Sequence, residues 1–178
     1  MTGEQRLAAR SDGSGARLET MQRWGSDGVE QLRQLYAPLR RFAAVIGGRD
    51  VDPDDLVQHA YAKVLGRDPD LIHDLEPYLR RVVANLATDE RRRSTRAQGV
   101  LRRIDSAPSA RDTYPSDLED LLRVQPKVRA LLYLVDVEGR SVGDAAEVVG
   151  MSNGSARVAL MRARRRLRAE LTLEANGE

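Results

Sequence analysis

Apolar positions along the chain recur with a helical period, and no segment shows sustained strand alternation. Val29, Leu32, Leu35, Tyr36, Leu39, Phe42, Ala43 and Ile46 mark one face of a first helix, which Gly47-Gly48 ends. Pro38 interrupts this pattern and predicts a kink or two short helices. A second face follows at Leu56, Val57, Ala60, Tyr61, Val64 and Leu65. Asp52 suits its N-cap and Pro53 its first position, Asp54 and Asp55 suit the positive end of its dipole, and Gly66 closes it. Pro69 and Pro77 bound a loop, and Pro77 is expected to open a third helix carrying Tyr78, Leu79, Val82, Val83, Leu86 and Ala87. The fold class is all-α.

The period is lost at both ends of this block. Residues 1–27 read as a disordered tail of scattered charge, with Trp24 packing on the first helix. Residues 95–116 gather Ser, Thr, Gly and Pro and read as a flexible linker, with a short helix at Val100–Ile104. A linker of that length between helical blocks predicts two small domains, 28–94 and 117–172, and a tail at 173–178. The second block shows a short helix at Asp117–Val124 and a longer one from Pro126 to about Val137, stopped by Gly139. Ser141 then caps a short helix ended by Gly150, and Ser152 caps the last helix.

The last helix changes the picture. Ala156, Leu160, Ala163, Leu167 and Leu171 form an apolar stripe, while Arg157, Arg162, Arg164, Arg165, Arg166 and Arg168 fill most of the remaining circumference. No acid lies between Glu147 and Glu170 to pair with them, which points to a polyanion partner rather than a solvated face. A short helix, a glycine turn and a Ser-capped longer helix form the helix-turn-helix pattern, whose second helix enters the major groove of DNA. Ala145 and Ala146 are small where the two helices cross.

The net charge of +2, from 29 basic and 27 acidic residues, conceals blocks of opposite sign. Residues 50–76 hold eight acids against Lys63 and Arg67; residues 80–103 hold eight arginines against Asp89 and Glu90. One surface suits a basic partner and another a polyanion. The chain has no cysteine and only His59 and His73, so no disulfide, thiol switch or metal site is expected. With no phosphate loop, no catalytic triad and no cofactor motif, it is not expected to be an enzyme. It has no apolar run of membrane-spanning length and no signal peptide, which predicts a cytoplasmic protein with no membrane partner.

Three stretches resemble the sigma factors of bacterial RNA polymerase. "DPDDLVQHAYAKVL" resembles their polymerase-binding helix, and "YLRRVVANLATDERRR" is similar to the helix that follows it. "LLRVQPKVRALLYLVDVEGRSVGDAAEVVGMSNGSARVALMRARRRLRAEL" resembles their C-terminal helix-turn-helix domain. Regions two and four joined by a short linker characterise the extracytoplasmic-function (ECF) group of the sigma-70 family. The resemblance spans about Val29–Glu170.

The resemblance implies an alternative sigma factor that binds core RNA polymerase, through the β′ clamp coiled coil and the β subunit, and promoter DNA. Asp55, Leu56, Val57, Gln58 and Tyr61 would serve polymerase binding. The loop 68–76, with Asp70 and His73, would take a flipped-out base of the −10 element. Tyr78, Arg80, Arg81 and Asn85 would lie near the −10 strand, with Arg91 and Arg92 on backbone phosphate. Ser152, Ser155, Arg157, Val158, Met161, Arg162 and Arg165 would face the −35 element. An anti-sigma factor is an expected partner.

Some positions depart from the family pattern. His59 stands where Glu is usual, and Tyr78 where Trp is usual. Val158 and Met161 replace polar readers; they can touch thymine methyls but cannot hydrogen-bond base edges. Two other readings compete at this point. One is a stand-alone helix-turn-helix regulator that binds duplex DNA without polymerase; the other is a helical interaction module with no DNA dependence. The acidic helix Asp52–Gln58 favours the sigma reading.

Overall fold

The computed structural model describes residues 12–48, 51–101 and 124–175. All regular structure among them is helical, as the apolar periods require. Helix α1 spans Asp12–Gly47, so much of the expected 1–27 tail is helical; residues 1–11 lie outside the described ones. The backbone breaks at Gly25 (φ 60°, ψ 177°), a conformation that glycine adopts without steric cost. Across this break Trp24 is buried against the bundle, and a Cβ at Gly28 would come within 3.1 Å of its ring. One buried indole anchors this segment, and one residue leaves no period to detect. Pro38, where a kink or a split into two short helices was expected, lies inside the continuous helix with no break in helical φ/ψ. Its fixed φ suits a helix, and burial of Leu39 and Phe42 just beyond it offsets the lost hydrogen bond.

Helix α2 spans Pro53–Leu65, with the Asp52 carboxylate accepting from the Asp54 amide at 2.8 Å. A single 3₁₀ turn at Pro69–Leu71 lies in the following loop. Helix α3 spans Leu75–Leu101 and starts two residues before Pro77, because Asp74 caps it by accepting from the Glu76 amide at 3.3 Å. Pro77 still falls in the first turn, where amides have no helical acceptor. At its far end α3 continues through residues 95–101 of the expected linker. The exposed residues 95–97 need no apolar face to stay helical, and Arg92–Asp89 and Arg93–Glu90 pairs line the turn before them. Of the helix expected at Val100–Ile104, the first two residues close α3; residues 102–104 and 117–123 lie outside the described ones.

Helix α4 spans Pro126–Leu132 and runs into a π turn at Tyr133–Val137, followed by Gly139 at φ 70°. Helix α5 spans Val142–Val149; Ser141 Oγ accepts from the Asp144 amide at 3.1 Å, and Gly150 ends it at φ 68°. Helix α6 spans Asn153–Ala175, with Ser152 Oγ accepting from the Ser155 amide at 3.2 Å, and extends into the expected 173–178 tail.

The two halves expected to be joined only by a flexible linker are packed together. Helices α1, α2 and α3 form one bundle and α4, α5 and α6 the other, while α4 also packs on α1 and α3, and α5 on α3. Their buried side chains form one cluster, running from Leu39, Phe42 and Val83 to Leu131, Leu134 and Val149. Phe42 meets Tyr133 edge to face at 5.7 Å.

Candidate nucleic-acid interface

Helix α6 sets its apolar stripe inward: Ala156, Leu160 and Ala163 are buried against α4 and α5. Arg157, Val158, Met161, Arg162 and Arg165 are thereby left on the exposed side, with Met161 59% exposed. Arg157, Met161 and Arg165 line a shallow groove against Val142 at the start of α5. Ser152 is engaged as the cap and also donates to Ser155 Oγ at 2.8 Å. The arginine row is not wholly without acids. Asp136, on the π turn, accepts from both Nε (3.3 Å) and Nη2 of Arg164, and this raises the Arg164 pKa. The partner comes from a neighbouring helix, so a search within α6 misses it.

A second surface lies where α3 meets the loop before it. Leu71, His73, Pro77, Tyr78 and Arg81 line a pocket whose opposite wall is Arg140, Asp144, Glu147 and Val148, from the other half. Leu71 is 75% exposed. The Arg67 guanidinium lies over the Tyr78 ring at 5.8 Å. Arg81 donates to the Glu147 carbonyl and, at 3.3 Å, to the Val148 carbonyl, both at the C-terminal end of α5. Asp70, Asn85 and Arg92 are exposed.

Two residues expected at this surface are drawn inside. Arg80 is 3% exposed, bonded to Glu138 at 2.7 Å and Glu76 at 2.9 Å, with the Phe42 ring 5.2 Å below it. Arg140 joins the same network, 2.7 Å from Glu76 and 3.3 Å from Glu138. Arg91 is half-buried and donates to the Val124 carbonyl at 2.6 Å. Apolar periodicity gives no sign of the Arg80–Glu138, Arg140–Glu76 and Arg91–Val124 ties, because they join residues distant in sequence.

A third surface is a groove between α2 and α3. Asp55 and His59 form one wall, Asp89, Glu90 and Arg93 the other, with Leu56 and Leu86 at its base. Asp55, Gln58 and His59 are exposed, but Val57 has no exposed surface and belongs to the core. Tyr61 is half-buried, and its hydroxyl donates to the Leu32 carbonyl at 2.5 Å. Burial, followed by the nearby Tyr36, pushes its pKa up to about 12. Asp54 accepts from the Tyr36 hydroxyl at 2.5 Å and from Arg40 at 2.9 Å, which hold its carboxyl below the ordinary value. The wall at Asp89 and Glu90 was missed in the sequence, although both lie a turn from Leu86 on one helix.

Among the described residues no cluster of His, Cys, Asp and Glu could hold a metal ion, and no helix is long and apolar enough to cross a membrane.

Comparison with known proteins agrees with this layout. Residues 31–97 match the Sigma-70 region 2 family and residues 121–167 the Sigma-70, region 4 family. The RNA polymerase sigma-E factor of Streptomyces coelicolor is 33% identical over 150 residues, covering 80% of this chain and 84% of that protein. The ECF RNA polymerase sigma factor SigM of Mycobacterium tuberculosis is 28% identical over 152 residues, 76% of this chain and 72% of that protein. The sigma factor RpoE of Bartonella quintana, solved in complex with the anti-sigma factor NepR, has the same fold, with a TM-score of 0.64 at 21% identity over 84% of this chain and 99% of that one. Both sigma regions are thus present in order, on helices that set an acidic groove apart from the basic face of α6, and the chain belongs to the ECF group of the sigma-70 family.

Proposed function

We infer that this chain is an alternative sigma factor that binds core RNA polymerase and directs promoter-specific transcription initiation. The observation that carries this reading is the presence of both sigma regions, with an acidic α2–α3 groove and a basic α6 face on separate surfaces. A stand-alone DNA binder has no use for the groove. Region two is proposed as 28–94 and region four as 117–172.

Asp55, Gln58 and His59 take the polymerase β′ coiled coil, whose basic side chains complement the groove. Leu56 supplies its apolar floor, while Val57 and Tyr61 support α2 from within. Tyr78, Arg81 and Asn85, with Asp70 and His73 of the loop, take the unstacked −10 strand; extruding a base costs a few kcal/mol and requires a shaped acceptor. Arg92 meets phosphate. Arg157, Arg162 and Arg165 fix α6 on the −35 duplex, where Val158 and Met161 contact thymine methyls.

The chain performs no chemistry of its own; polymerase supplies it. Its place of action is the cytoplasm, with the polymerase. By analogy with the RpoE–NepR complex, an anti-sigma factor is proposed as its inhibitor.

The test is transcription in vitro with sigma-free core polymerase from a related bacterium and a fragmented genomic template. Discrete starts preceded by two spaced motifs are the expected result. Absence of both starts and polymerase binding would refute the reading.

A further inference from the structure

We propose that the exposed face of α6 reads 5-methyl groups in the major groove and takes a 5-methylcytosine·guanine pair as readily as a thymine·adenine pair, so that cytosine methylation strengthens binding of this chain to DNA. The inference rests on assigning this face to the −35 duplex, and it names what the face recognises there.

Three observations carry it. First, Val158 and Met161 are 42% and 59% exposed, two of the five large apolar side chains left exposed among the described residues. Standing three residues apart on one helix, they lie side by side. Phosphate contact needs no such pair. Second, they are set among cations. Arg157, Arg162 and Arg165 are exposed around them, and Met161 lines a groove with Arg157 and Arg165. Third, residues 156–169 include no Asp, Glu, Asn, Gln, Ser, Thr, His or Tyr. That stretch offers arginine donors and apolar surface, but no side-chain oxygen or imidazole nitrogen to accept a hydrogen bond.

The chemistry of the base pairs selects the ligand. Unmodified cytosine shows the major groove only its N4 donor, which nothing on this stretch can answer. A methyl at C5 gives cytosine the apolar group that thymine carries. Its partner guanine shows two acceptors, N7 and O6, which fit the fork of an arginine. The methylated pair therefore offers one group to each kind of side chain present. A thymine·adenine pair offers the methyl too, but the adenine N6 donor finds no acceptor on the stretch.

The test uses the holoenzyme, this chain assembled with sigma-free core polymerase, on a promoter mapped by its transcript start. The −35 element is randomised and synthesised in two pools, one with cytosine and one with 5-methylcytosine in that element alone. Templates bound by the holoenzyme are sequenced. The methylated pool should enrich cytosine·guanine pairs at positions where the unmodified pool enriches thymine·adenine. In one recovered template, 5-methylcytosine should bind about fourfold more tightly than cytosine at such a position, the worth of one buried methyl. Uracil in place of thymine should lose the same factor. Val158→Ser with Met161→Ser should abolish both differences.

Equal binding of the two pools by a holoenzyme that initiates transcription would overturn this proposal and leave the sigma reading intact. A methyl preference that survives Val158→Ser with Met161→Ser would overturn its assignment to these side chains. Failure to assemble with polymerase or to initiate would sink the sigma reading and this proposal together.

Discussion

The guanidinium of Arg129 on α4 donates to the backbone carbonyl of Ile46 at the end of α1, across 83 residues of chain. It also donates to the Val124 carbonyl at 3.2 Å and is 2% exposed. Burial, with repulsion from Arg91 second, lowers its pKa to about 10, so it remains charged at neutral pH. Arg129→Met would deprive both carbonyls of this donor, at an expected cost of about 3 kcal/mol. Urea unfolding measures this; an unchanged midpoint would show the tie to be dispensable.

Gly150 holds φ 68° between α5 and α6, with no atom within 4 Å of a Cβ built there. Gly150→Ala therefore tests backbone strain free of steric contact. It should destabilise the protein by about 1 kcal/mol and lower Tm accordingly.

Asp54 offers a pH signature. Its carboxyl is held below the ordinary value, first by the Tyr36 hydroxyl and then by Arg40. The folded pKa is depressed, so the contribution is present above the unfolded carboxylate value near 4 and is lost as pH falls through the folded one. Asp54→Asn should melt below the parent at neutral pH, and the two Tm curves should converge in acid. A constant gap down to the lowest pH would contradict the assignment.

In the α2–α3 groove proposed for polymerase, Asp55→Arg should weaken core polymerase binding more than about tenfold, because a charge of the wrong sign would face the partner. Asp55 is exposed, so Tm should hardly move. Val57→Ala should do the reverse, costing about 2 kcal/mol of stability through a core cavity. Titration calorimetry beside thermal melts separates the two effects.

On α6, Arg165→Ala should lower the slope of log affinity against log salt by about 1, measured on −35 duplex. Arg164→Ala should change it less, since Asp136 already neutralises Arg164. Equal changes would mean that DNA displaces Asp136.

The elements were legible where side-chain chemistry is local. Asp52, Ser141, Ser152, Gly66 and Gly150 mark helix ends by groups within a few residues of them, and each acts as its type suggests. The two sides of α6 were legible for the same reason, since a wheel separates buried Ala156 and Leu160 from exposed Arg157 and Arg165. What escaped was non-local. Nothing near Arg80 in sequence announces Glu138, and nothing in α6 announces Asp136. Arginines that looked alike in one basic run therefore divide into buried ties and exposed contacts, a distinction set by tertiary packing. The helical start of α1 escaped because it rests on a glycine break and one indole.

The clasp that Arg81 makes on α5 uses carbonyls of the main chain. Substitution at Glu147 or Val148 leaves those acceptors in place, so sequence drift on that helix cannot easily erase the contact. From the other side, the contact depends on the single side chain of Arg81. Variation that tunes how firmly the two halves hold together is therefore channelled to Glu76, Glu138 and Arg140, whose ties are made by side chains.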